Sequence, residues 1–327
     1  MDDSSNLETP LSIGGLKQAK LVRTCSIWRA LDVIGDLPTL LILESIWLQT
    51  HRFSQIQKRT RLPKATVSSR LQKLQDARIV RKRPCRGDLS RFEYLLSDTG
   101  LDLYWVTLML HRWEQRWSRT EKDFRVALVH GACGHPTLPT PICGHCHEEF
   151  GVDDLIWEPG PGLGLMQPNY MRRRLRRELT TSSDNALLFT DSAELLGDRW
   201  CALVLRSLLT GVDRYDQILE DTGIATNILS ERLKWLSEFG VIDAIPVGDN
   251  YGRKRYRLTD KGNDFCPVLI MLQAWGDRHY AAPEGPPVVI RHRHCGAALE
   301  PIVACSHCKE SMSPGDTQPR IADAMAG

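Results

Sequence analysis

A shift of 162 residues lays the second half of this 327-residue chain on the first without a gap. Gly35-Asp36 falls on Gly197-Asp198, Arg52-Phe53 on Arg214-Tyr215, Arg70-Leu71 on Arg232-Leu233, Tyr94 on Tyr256, Asp98 on Asp260, Gly100 on Gly262 and Trp113 on Trp275. The register runs on into the cysteines, pairing Cys133 with Cys295, Cys143 with Cys305 and Cys146 with Cys308. Chance does not hold a register of that length, so the chain is a duplication, and whatever fold one copy takes the other must take too.

Within the first copy the stretch from Arg52 to Leu96 defines the unit. Phe53 and Ile56, then Leu62, Val67, Leu71 and Leu74, fall at helical spacing on either side of a break at Arg61-Leu62-Pro63, and Pro63 suits the first turn of a new helix. The second helix ends near Ala77 and gives way to Ile79-Val80-Arg81-Lys82-Arg83, a polar tip around Arg86-Gly87-Asp88 and a returning strand from Arg91 to Leu96. A helix-turn-helix followed by a basic β-hairpin is the expected local structure. With Val67, Leu71 and Leu74 turned inward, Lys64, Thr66, Ser68, Ser69, Arg70, Gln72 and Lys73 face outward or flank that face. Short polar side chains of this kind reach base edges in a major groove, and the wing cations Arg81, Lys82, Arg83, Arg86 and Arg91 reach phosphates.

Two helices precede this unit, one marked by Ile27, Leu31 and Ile34, the next opened by Pro38 and carrying Leu40, Leu41, Leu43 and Ile46. After the wing, Ser97-Asp98-Thr99-Gly100 caps a long helix through Leu103, Val106, Leu110, Trp113 and Trp117. That helix is too apolar to stand alone in water, which makes it a dimerisation element.

The fold class follows as mainly α with small β: two tandem winged helix-turn-helix domains, each followed by a small zinc-knuckle-like segment. The expected boundaries are a disordered tail over 1–19, the first winged domain over 20–118, a Cys/His knuckle over 128–150 and a linker over 151–181. The second winged domain then spans 182–280, the second knuckle 290–312 and a loose tail 313–327. The linker contains Glu158-Pro-Gly-Pro-Gly-Leu-Gly164 and the basic run Met171-Arg-Arg-Arg-Leu-Arg-Arg177.

Charge separates the copies although the net charge is only +2. Residues 20–118 hold roughly 18 Lys and Arg against 9 Asp and Glu, whereas residues 182–280 hold roughly 11 against 15, so the first copy is the better polyanion binder. No apolar run approaches the ~18 residues of a membrane span and the start Met1-Asp2-Asp3-Ser4-Ser5 lacks signal-peptide character, so no membrane contact and a cytoplasmic location are expected.

Ten cysteines in such a chain argue for metal or reactive thiols before disulfides. His130-x2-Cys133 with Cys143-x2-Cys146, and His292-x2-Cys295 with Cys305-x2-Cys308, each supply three thiolates and an imidazole, the ligand set of one closed tetrahedral Zn²⁺ per knuckle. A closed shell leaves no position for water, which makes the expected metal structural. His145 and His307 also recur at the same shift, but each lies inside a Cys-x2-Cys pair, where middle residues turn away from a metal. His135 and His147 have no counterpart, so His130 and His292 are the preferred fourth ligands.

The ordered run of Cys25-Ser-Ile, Leu31-Asp-Val-Ile-Gly-Asp36, Leu40-Leu-Ile-Leu43, Arg52-Phe-Ser-Gln-Ile56, Ser68-Ser-Arg-Leu71, Leu74, Ile79-Val80, Tyr94 and Leu96-Ser-Asp-Thr-Gly100 resembles the HxlR family of winged helix-turn-helix transcriptional regulators. The second copy repeats the resemblance in Leu195-Leu-Gly-Asp-Arg-Trp200, Arg214-Tyr-Asp-Gln-Ile218, Ile224-Ala-Thr-Asn-Ile-Leu-Ser-Glu-Arg-Leu233 and Tyr256-Arg-Leu-Thr-Asp-Lys-Gly262. The resemblance implies sequence-specific binding of double-stranded DNA by a dimer whose terminal helices pair, with recognition helices on half-sites about one helical turn apart. Here the dimer is either internal to one chain or a homodimer of chains. Some relatives sense electrophiles or oxidants at a cysteine in the position of Cys25; Cys85, between Arg83 and Arg86, is a second candidate because cations favour a thiolate. Cys201 and Cys266 read as core residues.

The copies differ in detail. The first has Asp36-Leu-Pro-Thr39 where the family pattern has Gly-Arg-Trp-like residues, and the second keeps Gly197-Asp198-Arg199-Trp200. On the second recognition helix Thr226, Asn227, Ser230, Arg232 and Lys234 are the candidate contacts, with Arg253, Lys254 and Arg255 in its wing. The function expected is that of a transcriptional regulator; the alternative is a protein-interaction scaffold with degenerate winged helices. No His-Glu-x-x-His, Gly-x-Ser-x-Gly or phosphate-binding Gly-Lys-Ser/Thr loop is present, so no enzyme is expected.

Overall fold

The computed structural model of the protein describes residues 21–85, 88–118, 124–167, 190–247 and 253–323. Its first repeat runs β1 (Val22–Arg23), α1 (Ser26–Ile34), α2 (Leu37–Trp47), α3 (Phe53–Thr60), α4 (Lys64–Asp76), β2 (Val80–Cys85), β3 (Asp88–Leu96), α5 (Asp98–Leu101) and α6 (Tyr104–Trp117). There follow β4 (Phe124–His130), β5 (Pro136–Thr137), β6 (Thr140–Cys143), β7 (Leu155–Pro159) and β8 (Leu165–Met166). The second repeat is α7 (Thr190–Gly197), α8 (Arg199–Leu209), α9 (Tyr215–Thr222), α10 (Thr226–Phe239), β9 (Ile242–Pro246), β10 (Lys254–Leu258), α11 (Asp260–Asn263) and α12 (Cys266–His279). It closes with β11 (Val288–His292), β12 (Pro301–Ala304) and β13 (Thr317–Asp323).

Local chemistry accounts for the elements. The Asp36 carboxylate accepts from the Thr39 N–H at 3.0 Å and the Asp198 carboxylate from Trp200 and Cys201, so each Gly-Asp pair starts the second helix of its repeat. Val67, Leu71 and Leu74 are buried along α4, and Leu229, Leu233 and Leu236 along α10. Each wing is an antiparallel hairpin, β2 with β3 and β9 with β10. The hydroxyls of Ser97 and Thr259 then cap α5 and α11 by accepting from Gly100 and Gly262. A Cβ at those glycines would lie 2.3 Å and 2.1 Å from the carbonyl oxygens of Ile79 and Val241, which is why both copies keep glycine. The long helix expected after the wing is thus broken at Asp102-Leu103 into a single turn and a main helix.

That main helix finds its partner in the other repeat. α6 packs on α12 and α7, and α12 packs on α1. The Trp113 indole donates to the Lys261 carbonyl at 2.9 Å, and Trp275 donates to Thr99 at 3.0 Å. Arg116 pairs with Asp264 and Arg278 with Asp102. In both cases one contact becomes the other when 162 is added to its first partner and subtracted from its second, so the repeats are related by a pseudo-two-fold axis. An antiparallel bridge between Asp36 and Asp198 sits at the same seam. The departure of the first copy from the family pattern is filled there: Leu37 lies against Gly197, where a Cβ would meet its amide nitrogen at 2.8 Å, while Arg199 pairs with Asp32 and Trp200 packs edge-on against Trp28.

Where the symmetry breaks, the seam is made differently. Glu114 of α6 accepts from the Ser192 N–H at 2.9 Å and from Asp191 at 3.3 Å, placing a buried carboxylate at the start of α7. Its counterpart is Gly276, whose missing side chain brings α12 so close to α1 that a Cβ would stand 2.5 Å from the Ser26 carbonyl oxygen. Gly276→Ala is therefore expected to lower stability by about 1–3 kcal/mol despite alanine's better helix propensity, because two backbones must separate. Urea denaturation checks it, and an unchanged or raised midpoint would refute the close approach.

The strands after each winged unit merge. β6 pairs with β12, β7 with β11, and β4 with both β13 and β5, so almost every strand pair here joins one repeat to the other. The expectation of two separate knuckles is corrected by this shared lobe. The expected linker 151–181 contributes β7 and β8, and the expected loose tail 313–327 contributes β13 over Thr317–Asp323, because β7 and β13 find partners across the axis and β8 pairs with β1. The tail 1–19 and the basic run 171–177 lie outside the described residues. Among the described residues, no helix is long and apolar enough to cross a membrane.

Candidate nucleic-acid interface and metal centres

α4 and α10 present polar faces opposite their buried leucines. On α4, Lys64, Ser68, Ser69 and Gln72 are exposed and Thr66 is half-buried; on α10, Thr226, Asn227, Ser230 and Lys234 are exposed. The Ser230 hydroxyl lies 3.1 Å from the Tyr215 hydroxyl, which α9 holds against the start of α10. Three cations expected on these faces point inward instead. The Arg232 guanidinium is buried and donates to the Asp198 carboxylate at 2.7 Å. Arg70 makes the equivalent 2.9 Å bond to Asp36, and Lys73 donates to the Val33 carbonyl at 2.6 Å. Each flanks the apolar stripe closely enough for a neighbouring carboxylate or carbonyl to capture it, so they tie α4 and α10 to the helices behind.

The wing cations remain outside. Arg81, Lys82, Arg83 and Arg91 are exposed, as are Arg253, Lys254 and Arg255; Arg86 lies outside the described residues. Lys82 sits 3.9 Å from the centre of the Phe92 ring and Arg83 lies 3.2 Å from Glu93, exposed arrangements of small energy that a phosphate would readily displace. The second wing is more internally neutralised, with Arg255 facing Asp213 at 3.5 Å and Arg257 facing Asp243 at 3.7 Å.

The Cys/His residues form two quartets, with a partition the spacing does not give. His130 and Cys133 meet Cys305 and Cys308, while Cys143 and Cys146 meet His292 and Cys295. The knuckle-by-knuckle grouping is corrected: each quartet draws one pair from each repeat, because β4, β6, β11 and β12 pair across the axis rather than within a copy. Sulfur to sulfur the distances are 3.9 Å for Cys133–Cys305 and 4.0 Å for Cys143–Cys295. From His130 Nδ1 the thiols of Cys133 and Cys308 lie at 3.6 and 3.3 Å, and from His292 Nδ1 those of Cys295 and Cys146 lie at 3.6 and 3.2 Å. A tetrahedron with ~2.3 Å zinc–sulfur and ~2.0 Å zinc–nitrogen bonds has edges of about 3.5–3.8 Å, and these separations scatter around that range from 3.2 to 4.0 Å.

Backbone turns set the ligands. Gly134 and Gly296 take φ of +70° and +71° just after the Cys of each His-x2-Cys pair, and His147 and Lys309 take +63° and +65° after each Cys-x2-Cys pair. The amides of His147 and Lys309 donate to the carbonyls of Cys143 and Cys305, closing matched loops. Burial raises the Cys305 thiol, but hydrogen bonds from Thr137 and from the backbone of Cys308 and His307 outweigh it and bring the thiol down to about 6. Cys143 is lowered in the same way, burial being overcome by the backbone of Cys146 and His145. In each pair the other thiol, Cys146 or Cys308, is raised: a backbone hydrogen bond at Glu148 or Glu310 lowers it, but burial and the neighbouring cysteines outweigh that. His307 turns outward and stacks on His135 at 3.7 Å.

The remaining cysteines lie inside. Cys25 and Cys85 are each only 6% exposed, so neither presents the accessible thiolate expected of a sensor. Burial raises the Cys201 thiol and pushes that of Cys266 up to about 12, as fits core residues.

Two winged helix-turn-helix units joined by a shared Cys/His lobe define the class of protein to which the chain belongs. Residues 33–122 and 195–284, more than half of the sequence, match the family described as HxlR-like helix-turn-helix, and the chain belongs to that family. An uncharacterized HTH-type transcriptional regulator of Mycobacterium tuberculosis is 39% identical over 126 residues, covering 38% of this chain and 80% of that protein. In Bacillus subtilis the uncharacterized HTH-type transcriptional regulator YvaP is 34% identical over 88 residues, covering 27% and 82%, and the HTH-type transcriptional regulator YodB 33% over 85 residues, covering 26% and 76%.

Proposed function

We propose that the protein is a transcriptional regulator that binds double-stranded DNA as an internal pseudo-dimer, α4 and α10 each entering a major groove and the wings contacting phosphates. The observation that carries this reading is the mirrored pair of terminal-helix contacts, Trp113 to Lys261 and Trp275 to Thr99, which holds two helix-turn-helix units across one axis within one chain. Ser68, Ser69 and Gln72 are the base-reading candidates of the first repeat, Thr226, Asn227 and Ser230 those of the second; Asn227 suits an adenine edge. Arg81, Lys82, Arg83, Arg91, Arg253 and Lys254 supply phosphate affinity. Because the two faces differ in sequence, the operator has unlike half-sites. The Cys/His quartets are structural Zn²⁺ sites that hold the lobe against α6, where Trp105 donates to the Met312 carbonyl and Arg112 to that of Pro139.

Selection from a random DNA pool tests the reading. The wild-type chain is expected to enrich a bipartite site with half-sites about 10 base pairs apart or a multiple of that. Alanine at Ser68 and Ser69 should relax only one half-site and alanine at Asn227 and Ser230 only the other, each by about 1–3 kcal/mol of discrimination. Alanine at Arg81 and Arg83 should weaken binding to all sequences alike and flatten the salt slope by about 1 for each phosphate no longer neutralised. Absence of any enriched sequence would discard the regulator in favour of a protein-interaction scaffold.

A further inference from the structure

We infer that the two quartets bind two soft divalent cations, zinc foremost, as a paired clasp between the repeats, so that neither repeat completes a metal site from its own residues. This rests on the structural-zinc reading above and adds to it the partition of the ligands and a stoichiometry of two ions per chain. The partition is a property of the backbone rather than of side-chain rotamers. β6, which ends at Cys143, runs antiparallel to β12, which ends beside Cys305, with Ile142 opposite Ile302 close to the pseudo-two-fold axis. β4 delivers His130 opposite Thr317 of β13, and β11 delivers His292 opposite Leu155 of β7. Regrouping the ligands by repeat would therefore require these strand pairs to open.

The ligand set selects the ion. Three thiolates and one imidazole are soft donors, which favour zinc over magnesium or calcium, and four donors on tetrahedral edges close the shell. His130 and His292 are each 1% exposed and Cys143 and Cys305 are fully buried, while Cys133, Cys146, Cys295 and Cys308 are half-buried, so each site is closed on one side and open to entry on the other. The two sites are also coupled through the chain. Cys133 and Cys146 belong to the same knuckle but to different quartets, as do Cys295 and Cys308. A defect in one knuckle thus reaches both ions, whereas a defect confined to one quartet spares the other.

That asymmetry gives the test. Full-length apo-protein is titrated with Co²⁺, whose thiolate charge-transfer and d–d absorption report tetrahedral sites. The wild type should take up two ions per chain, Cys133→Ser/Cys308→Ser one, and Cys133→Ser/Cys146→Ser none tightly. Ligands grouped by repeat would reverse the two double variants and overturn the clasp. No Co²⁺ uptake by the wild type would instead overturn the zinc reading on which it rests. Should both variants fail to fold, ¹¹³Cd–¹H correlation on the wild type decides: one cadmium must couple to the β-protons of Cys133, Cys305 and Cys308 and the other to those of Cys143, Cys146 and Cys295. One cadmium coupled to Cys133, Cys143 and Cys146 together would overturn the proposal.

Discussion

Replacing Asp198 by alanine is expected to cost about 3 kcal/mol of stability, the penalty of leaving a buried guanidinium with only the exposed Glu231 carboxylate, 3.3 Å away, as counter-ion. Arg232 is 7% exposed, and its Nε donates to Asp198 at 2.7 Å. Asp198 also caps α8, so the variant loses that interaction as well, worth about 1 kcal/mol. Asp36→Ala is the internal control: its partners Arg70 and Lys73 keep 27% and 22% of their side-chain surface, and water can replace the lost carboxylate, so about half the loss or less is expected. Pairing Asp198→Asn with Arg232→Met should recover much of the deficit, since no charge is then buried. Urea denaturation midpoints at constant m-value measure all three. Equal losses at the two aspartates would show that burial of Arg232 is not the cause.

Removal of metal should have an effect confined to one part of the molecule and large there. Zinc binding to small structural sites is worth roughly 10–16 kcal/mol apparent free energy, and the lobe adds few side chains of its own, among them Phe150, Val303 and Met312, to the buried cluster it shares with the helices. Chelation under reducing conditions is therefore expected to abolish hydrogen-exchange protection in β4–β7 and β11–β13 while α4 and α10 keep theirs, because α4 packs chiefly on α2, α3 and β2, and α10 on α8 and β9, rather than on the strands of the lobe. Exchange mapping with and without chelator reads this directly, and protection persisting across the lobe would remove the metal from the account of its stability.

The winged units were open to sequence reasoning because their signals are local: helical spacing of Val67, Leu71 and Leu74, a capping Ser97, a hairpin between Val80 and Leu96. The eight ligands were equally open. Their partition was not, since two copies with identical spacing satisfy the same ligand count whether grouped by copy or exchanged, and only strand pairing decides. The strands of the lobe are short, and those that pair across the repeats have partners in the other half of the sequence, beyond the reach of periodicity. The inward turn of Arg70 and Arg232 did leave a trace: an aspartate stands 34 residues before each arginine in both copies, a repeated opposite-charge pair that a helical wheel drawn for one helix overlooks.

The exchanged quartets set different rules for how the two copies can drift apart. Each quartet is owned by both copies, so on the metal reading a substitution in either copy touches a shared site, and the eight Cys and His residues stand at the same spacing in both. The outward residues of α4 and α10 belong to one copy each, and there the sequences differ, with Lys64-Ala-Thr-Val-Ser-Ser in one and Thr226-Asn-Ile-Leu-Ser-Glu in the other. On the proposed reading, one chain with two unlike helix faces can address two unlike half-sites while its lobe stays common to both halves, which a homodimer of identical chains cannot do.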